Sequence, residues 1–331
     1  MIVKRLLGIY KEPQLLVYRS FANADFVYIT GRVIEQTKKS SASSSLRNIV
    51  ALARAYLARP FKNFEVQIIS DTDTRIVKTN KNGIFEIKHP YKTGELLQAK
   101  INNQIVPIEI AASIEKASYG IISDVDDTIL ISNVTRVFVL LYLVFTKNAH
   151  SRKPFPGVAE FYQALVHPHN PIFYVSSTTW NLYGMLIEFM SINSIPTGPL
   201  LLKEVSSIKA VYTTSGNHNH KQEKIEMILD VYPTLQFILL GDSGQQDVEI
   251  YSAIVKKYPD RIKVIYIRDI SVKKHDIIKE TIQTVDGKVD VVFVKTSAEA
   301  AAHALKHGFI ASKDEKEIKE GVAQEANFLG Q

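Results

Sequence analysis

Short runs of hydrophobic residues, separated by turn residues, fill the first third of the chain. Between residues 14 and 112 the runs are LLVYRSF, FVYITGRVIEQ, FEVQIIS, RIVKTN, GIFEIKH and LLQAKINNQIVPIEIAA. Turn sequences such as TNKNG at residues 79–83 separate them, which is typical of an antiparallel β-sandwich. One helical stretch, residues 46–58, follows a serine-rich linker. The pattern predicts an N-terminal β-sandwich domain with a helical insertion over residues 1–115 and indicates no catalytic constellation there.

A different pattern begins near residue 119, where solid apolar runs alternate with longer stretches that can form helices. The runs are YGIISDV, PIFYVSS, FILLGDS and RIKVIYIRD, and a last run, DVVFVK, begins at Asp290. Solid runs of this length fit strands that are buried on both faces of a parallel sheet. We therefore predict an α/β fold, with a mostly parallel sheet flanked by helices, over residues 116–296. A helix at residues 298–306 and a charged stretch, either an exposed helix or a loose tail, form a C-terminal segment over residues 297–331.

Composition narrows the choice of function. The chain has 331 residues, enough for about two domains, and it has no cysteine, which excludes disulfides, thiolate zinc sites, iron–sulfur clusters and a cysteine nucleophile. The net charge of +6 is mild and indicates a solvated basic surface, with no nucleic-acid partner. The N-terminus lacks the sustained apolar core of a signal peptide, and the longest apolar run, VFVLLYLVF at residues 137–145, is too short to cross a bilayer as a helix. We expect a cytoplasmic protein that can also contact membranes peripherally.

Polar residues follow three of the predicted strands, at the ends where ligands bind in open α/β sheets. The first strand ends in SDVDDT (123–128), the second in SSTT (176–179) and the third in GDSGQQD (241–247). Carboxylates crowded at the exit of a buried strand repel one another unless a cation or a proton relieves them. A hard divalent cation such as Mg²⁺ would relieve this repulsion, bound through carboxylate, water and phosphate oxygens. Each motif alone also fits a turn or a helix cap; together and in this order they indicate a metal-dependent phosphate site.

The three motifs resemble those of a known superfamily. DVDDT, YVSS and GDSGQQD are similar to the first, second and fourth motifs of the haloacid dehalogenase superfamily, which implies its Rossmann-like fold. More narrowly, residues 119–270 resemble the actin-patch-associated phosphatidate phosphatase family through SDVDDTI, FPG, FYVSSTTWNLY, PTGPLLL, HKQEKIEMIL, FILLGDSGQQDVEIY and IYIRDI. The VYITGRV and NGIFEI segments are similar to the β-rich region before that family's catalytic domain. One departure is the sequence TTWN at residues 178–181, where the family commonly has Ser-Ser-Pro-Trp-Asn.

The resemblance implies roles for the acidic residues. Asp124 would be the nucleophile that forms an aspartyl-phosphate, and Asp126 would protonate the leaving alkoxide and then activate water. A carboxylate at position 126 favours phosphoryl transfer over dehalogenation. The resemblance also implies that Mg²⁺ is held by the Asp124 side chain, the Asp126 backbone carbonyl and Asp242, with Asp247 as a supplementary ligand.

Hydroxyl groups near the same strand ends would meet the substrate. The resemblance implies that Ser176 donates a hydrogen bond to a phosphate oxygen, with Ser177 as the alternative donor. Thr128 orients the turn after the first strand and is a further candidate for substrate binding. All three residues follow or end a predicted strand.

A lysine is also needed, to neutralise the phosphoryl group and the nucleophile. Lys221 is the first candidate because it opens a helix-like stretch before the third motif-bearing strand and lies in the matching HK segment. Lys224 and Lys209 remain alternatives, because the sequence defines this motif poorly.

The resemblance implies a Mg²⁺-dependent phosphatidate phosphatase that releases diacylglycerol and phosphate. A phosphatase of a soluble phosphomonoester or of a phosphoprotein, and a non-catalytic scaffold that only holds a cation, stay open as alternatives. The apolar run at residues 137–145 follows the first motif, where this superfamily inserts its cap domain. It is either a buried helix or an apolar lip that lets acyl chains or a membrane surface approach.

Overall fold

The computed structural model describes residues 4, 7–38, 54, 56–111, 114, 116–125, 128, 129, 155–204, 219–243, 247–269, 287 and 289–329. The strands among these residues form three β-sheets. Two antiparallel sheets come from the N-terminal third of the chain, and one parallel sheet comes from the remainder. Antiparallel sheets and a parallel sheet are thus both present, as the predicted fold class requires.

The N-terminal strands form two antiparallel sheets of four strands each. They are β1 (Ile9–Val17), β2 (Phe21–Ala22), β3 (Phe26–Thr37), β4 (Glu65–Ile69), β5 (Thr74–Lys78), β6 (Ile84–Pro90), β7 (Gln98–Ile101) and β8 (Gln104–Pro107). In the first sheet β3 pairs with β1, β2 and β6, and the second sheet has the order β5-β4-β7-β8. The predicted turn at residues 79–83 forms, with the Gly83 N–H donating to the Asn80 carbonyl over 2.9 Å.

Side chains from both antiparallel sheets share one core. Val27 and Phe85 from the first sheet pack with Val66, Ile68 and other apolar residues from the second, and all four are buried. Alternate residues of each strand face this layer, as expected for two sheets packed face to face. Of the predicted helix at residues 46–58, only three described residues are helical, and the rest lies outside the described residues.

The parallel sheet has six strands in the order β11-β10-β9-β12-β13-β14. They are β9 (Gly120–Ser123), β10 (Ile172–Thr179), β11 (Leu200–Lys203), β12 (Phe237–Asp242), β13 (Ile262–Arg268) and β14 (Asp290–Val294). All of the neighbouring pairs are parallel, and five of the strands coincide with predicted apolar runs. The edge strand β11 is the exception: its short LLLK segment was not predicted as a strand.

Helices cover both faces of the parallel sheet. They are α1 (Val158–Val166), α2 (Tyr183–Ile192), α3 (Asn219–Val231), α4 (Asp247–Lys257), α5 (Ser297–Lys306) and α6 (Ser312–Leu329). Helices α1, α2, α5 and α6 pack on one face, and α3 and α4 pack on the other. This is the predicted α/β arrangement of a parallel sheet flanked by helices. None of the described helices is long and apolar enough to cross a membrane.

The charged C-terminal stretch is a packed helix rather than a loose tail. Ile318 of α6 is fully buried in the core cluster on the α1 side of the sheet. Gly157, just before α1, has φ of +71°, and a β-carbon there would lie 2.7 Å from Val322 of α6. The sequence did not decide between a helix and a loose tail, because apolar residues are sparse in this stretch.

We expect the substitution Ile318→Ala to lower the free energy of unfolding by about 2–5 kcal/mol, because it opens a cavity in a closed core. Urea denaturation followed by circular dichroism measures the change. Lys316→Ala, on the exposed face of the same helix, is the matched control and should change stability by less than about 0.5 kcal/mol. Equal small effects of the two substitutions would show that α6 does not contribute to the core.

Candidate active site

Two acidic motifs meet because their strands are neighbours. β9 lies between β10 and β12 in the sheet, so the carboxyl ends of all three strands lie at one edge. Asp124 follows β9, and its backbone N–H donates to the Leu240 carbonyl of β12 over 2.9 Å. Asp242 is the last residue of β12. The side chains of both aspartates are buried, so the predicted carboxylate crowding exists at this edge.

Lys221 joins this edge from helix α3. Its Nζ lies 2.9 Å from Asp124 Oδ1 and 2.8 Å from Asp247 Oδ1. Asp247 is the first residue of α4, so the lysine connects the end of a central strand to two helices. Lys221, Asp124 and Asp247 are all buried. Among the three lysines considered from the sequence, the structure thus brings Lys221 to the acidic motifs.

The two rival lysines lie elsewhere or outside the description. Lys224, one turn further along α3, pairs with Glu86 of the sandwich over 3.0 Å. Lys209 lies outside the described residues, and so do Asp126 and Asp127. The role predicted for Asp126 therefore stays a prediction.

The charge state of Lys221 follows from competing effects. Burial alone lowers the pKa of this ammonium, but the carboxylates of Asp124 and Asp247 outweigh burial and raise the pKa well above its ordinary value. The lysine is therefore positively charged at neutral pH. It balances one of the three negative charges that Asp124, Asp242 and Asp247 would carry if all were ionised.

The three aspartates can act together as ligands for a cation. Asp124, Asp242 and Asp247 each offer a carboxylate oxygen, and these oxygens lie within 4.8 Å of one another. All three residues are buried. A hard cation such as Mg²⁺ prefers such oxygen donors. The residue set therefore fits the metal predicted from the sequence.

A glycine allows Asp247 to approach the strand. The Asp242 backbone N–H donates to Asp247 Oδ2 over 3.2 Å. A β-carbon on Gly241 would lie 2.7 Å from the same oxygen and 2.8 Å from a ring carbon of Tyr251. Any side chain at position 241 would push Asp247 away from Lys221, which explains why the fourth motif begins with glycine.

The two serines of the second motif differ in exposure. Ser176 is buried, and its Oγ accepts a hydrogen bond from the Thr178 backbone N–H over 2.9 Å. Ser177 is exposed on the other side of the strand. Ser176 therefore stays in a fixed position near the carboxyl end of β10, which continues through the whole second motif to Thr179, whereas Ser177 faces solvent.

Thr128 and Arg268 border a small cavity behind the acidic cluster. The cavity has a volume of about 30 Å³, which is enough space to hold a water molecule. Thr128 Oγ1 is buried and has no hydrogen-bond partner among the described residues. The Arg268 guanidinium stacks on the Phe155 ring at 3.4 Å. Burial lowers the pKa of Arg268 to about 10, against the opposing effect of Tyr162 and Asp242, so this group is also positive at neutral pH.

The sandwich contacts the loop that follows the second motif. Arg32 of β3 is buried and donates to the Asn82 carbonyl over 3.0 Å and to the Asn181 side chain. The ring of Tyr18 stacks on Trp180, with ring centroids 4.4 Å apart and an interplanar angle of 12°. Sequence reasoning missed Arg32 and Tyr18, because each lies in an ordinary β-strand pattern and no motif marks its partner.

The sandwich also contacts the neighbouring loops. Asn80 and Asn82 donate to Glu204, which follows β11, over 2.8 Å and 3.1 Å. With the Lys224–Glu86 ion pair on α3, the sandwich is thus connected to two further elements at the carboxyl edge of the parallel sheet.

Comparison with known proteins finds a family similarity in the α/β part of the chain. Residues 119–269 match the family model described as "Phosphatidate phosphatase APP1, catalytic domain". The match contains the strand ends, Lys221 and the acidic cluster. The chain is similar to that phosphatase family over these residues, which confirms the narrower of the two resemblances predicted from the sequence.

Two fungal relatives are similar to parts of the chain. Phosphatidate phosphatase APP1 from Saccharomyces cerevisiae is 34% identical over 162 residues, which are 48% of this chain and 27% of the relative. An uncharacterized protein from Schizosaccharomyces pombe is 22% identical over 253 residues, which are 71% of this chain and 40% of the relative. The chain thus spans between about a quarter and two fifths of the length of these relatives.

A solved structure shows only a distant similarity. A carbohydrate acetylesterase from Xanthomonas citri aligns with 86% of this chain and 68% of its own chain, at 10% identity and a TM-score of 0.32. That score is too low to support an argument about fold or function.

We expect Lys221→Met to lower the free energy of unfolding of the metal-free protein by about 3–5 kcal/mol at neutral pH, because it leaves buried carboxylates without their cation. In the wild type, folding raises the pKa of Lys221, so its ion pairs contribute their full stabilisation of the folded state at neutral pH. This stabilisation is lost only as the pH rises past the ordinary lysine pKa of 10.5 and through the folded-state pKa. The difference from wild type should therefore be present in full at neutral pH.

Urea denaturation at neutral pH, in the presence of EDTA, measures this difference. Lys224→Met is the matched control from the same helix, since its ion pair with Glu86 is partly exposed and is worth at most about 1 kcal/mol. A loss of the same size for the two substitutions would contradict the assignment of Lys221 as the internal counter-ion.

Proposed function

We propose that the chain is a Mg²⁺-dependent phosphomonoesterase that hydrolyses phosphatidate to diacylglycerol and phosphate. One observation carries the proposal: the buried cluster of Asp124, Lys221, Asp242 and Asp247 lies in the segment that matches a phosphatidate phosphatase catalytic domain. The chemistry is supported by the charges and distances of this cluster. The lipid substrate is supported by the family of that segment.

We further infer a fold of the haloacid dehalogenase type. The strand order places β9 between β10 and β12, so the proposed nucleophile, hydroxyl donor and second acidic motif share one edge. Lys221 reaches the same edge from a helix that precedes β12. This arrangement agrees with the order of motifs that the sequence resemblance implies.

The proposed reaction has two steps at the Asp124 carboxylate. In the first, an Asp124 oxygen attacks phosphorus, the bond between phosphorus and the diacylglycerol oxygen breaks, and Asp126 gives its proton to the leaving alkoxide. In the second, Asp126 takes a proton from water, the hydroxide attacks phosphorus, and the bond between phosphorus and Asp124 breaks. Phosphate leaves and both aspartates return to their starting states.

Lys221 and Ser176 support both steps. The lysine ammonium contacts Asp124 at 2.9 Å, where it can hold the carboxylate in place and offset the negative charge of the incoming phosphoryl group. Ser176, fixed at the end of β10, would donate to a phosphoryl oxygen, and Ser177 remains the alternative donor. Thr128 would orient the turn between Asp124 and the segment that follows.

The divalent ion would be held by Asp124, Asp242 and the Asp126 backbone carbonyl, with Asp247 as a supplementary ligand. When bound, it would supply Lewis-acid stabilisation of the phosphoryl oxygens. The buried carboxylate oxygens support this assignment, because they lie within 4.8 Å of one another.

The approach of a lipid substrate is a prediction from the sequence. The apolar run at residues 137–145 lies outside the described residues, so its role as an apolar lip stays a prediction. A cytoplasmic protein that binds membranes peripherally is likewise a prediction from the sequence.

The N-terminal sandwich contacts two of the elements that carry the proposed catalytic residues. It contacts the loop after the second motif through Arg32 and Tyr18, and it contacts the helix that carries Lys221 through Glu86. Since positioning errors of an ångström cost large factors in rate, these contacts are expected to matter for turnover.

The first experiment compares phosphate release from phosphatidate in mixed micelles with release from p-nitrophenyl phosphate, each with Mg²⁺ or EDTA. We expect Mg²⁺-dependent release that favours phosphatidate, and at least about a thousandfold loss in Asp124→Asn, which removes the nucleophile. Release from the soluble ester alone would keep the mechanism and reject the lipid substrate. Turnover that Asp124→Asn leaves unchanged would overturn the mechanism, and no release from either ester would favour the cation-binding scaffold.

We expect Arg32→Met to lower kcat about tenfold with little change in KM, because the loop after Ser176 loses its charged hydrogen bond to the sandwich, an interaction worth about 1.5–3 kcal/mol. Steady-state phosphate release measures both constants. Arg75→Met, which removes an exposed arginine from β5 of the same domain, is the control and should change neither constant. If Arg32→Met lowers the melting temperature but leaves kcat intact, the contact serves stability alone.

A further inference from the structure

A second cluster of potential metal ligands lies at the opposite edge of the parallel sheet. Asp290 is the first residue of β14, so it lies at the amino end of a parallel strand, whereas the acidic cluster lies at the carboxyl ends. His303 and His307 are near the end of α5, which runs back across the sheet after β14. Sequence reasoning did not single out these three residues.

The three side chains converge. Asp290, His303 and His307 each offer one ligand atom, and these atoms lie within 4.8 Å of one another. His303 Nε2 is 4.0 Å from Asp290 Oδ2. The two histidines are four residues apart on a helix, which places them on one face, and their rings are stacked with centroids 4.2 Å apart. Because an imidazole binds a metal in the plane of its ring, the exposed His307 ring must rotate out of the stack for both nitrogens to reach one ion.

A tyrosine fixes the orientation of one histidine. The Tyr266 hydroxyl of β13 lies 3.0 Å from His303 Nδ1, on the side of the ring away from Asp290. If Nδ1–H donates to the tyrosine oxygen, the lone pair of Nε2 faces Asp290. Such a bond to the second ring nitrogen is the usual support of a histidine that binds a metal.

The surroundings of the cluster allow an ion to enter. Asp290 and His307 are exposed. An ion can therefore reach the cluster from solvent, although Lys306 weakens the attraction.

We propose that Asp290, His303 and His307 form a binding site for one divalent transition-metal ion of the Zn²⁺ class, separate from the catalytic cluster. Two imidazole nitrogens and one carboxylate suit zinc, cobalt or nickel, whereas Mg²⁺ prefers oxygen ligands alone. Water completes the tetrahedral set. The ion connects the start of β14 to the end of α5, so its binding stabilises the folded state.

The test measures Zn²⁺ binding by isothermal titration calorimetry on the full chain, with Mg²⁺ in large excess. The background is the Asp242→Asn variant, which weakens the catalytic cluster as a rival zinc site. We expect one equivalent of Zn²⁺ to bind, and His307→Ala in that background to weaken its affinity at least about tenfold. His169→Ala, which removes an exposed histidine elsewhere, is the matched control and should leave the affinity unchanged.

A spectroscopic measurement identifies the ligands. Co²⁺ in place of Zn²⁺ should give the visible absorption of a tetrahedral site, and His307→Ala and Asp290→Asn should each reduce it. Because His307 and Asp290 are exposed, neither substitution is expected to unfold the protein. Zinc binding that is absent from Asp242→Asn but present in the wild type, or binding that His307→Ala leaves unchanged, would overturn the proposal. Neither result depends on phosphatase activity, so the two proposals fail independently.

Discussion

The buried ammonium of Lys221 is the interaction on which the site depends. Transferring several carboxylates from water into a protein interior is unfavourable unless opposite charge accompanies them. Lys221 supplies that charge and contacts Asp124 and Asp247 at once, so one side chain ties the end of β9 to helices α3 and α4. Because the two aspartates raise its pKa, the lysine keeps its charge under all ordinary conditions. The three carboxylates that converge around it are oxygen donors of the kind that a hard divalent cation prefers.

The other elements hold the charged side chains of this ion-pair network in position. The order of strands brings Asp124 and Asp242 to adjacent positions, and Gly241 leaves the space that Asp247 occupies. Helix α3 is anchored at Lys221 on one side and, through Lys224, at the sandwich on the other. The N-terminal sheets are therefore part of the framework that fixes the site, although none of their residues belongs to the acidic cluster.

The local sequence pattern predicted the central strands and the meeting of their acidic ends. It did not predict the contacts that depend on packing between residues far apart in sequence. Asp124 and Asp242 could be predicted to meet because both follow solid apolar runs, and parallel strands end at a common edge. Lys221 could not be separated from Lys224 by sequence, because both lie at the start of the same helix and only its orientation decides which one faces inward. Strand β11 is short and at the sheet edge, so its pattern is weak. The contact of Arg32 with Asn181 joins residues far apart in sequence, and no local rule indicates it.

The core cluster on the α1 side of the sheet contains residues from both ends of the described chain. Tyr18 and Ile84 from the N-terminal strands and Ile318 from the last helix belong to the same cluster as the strands between them. Contacts between residues so distant in sequence form slowly, because a long loop must close before they are made. During synthesis this cluster cannot be completed until α6 has left the ribosome. Until then, the apolar surface that the first strands and the parallel sheet contribute to this cluster is incompletely buried.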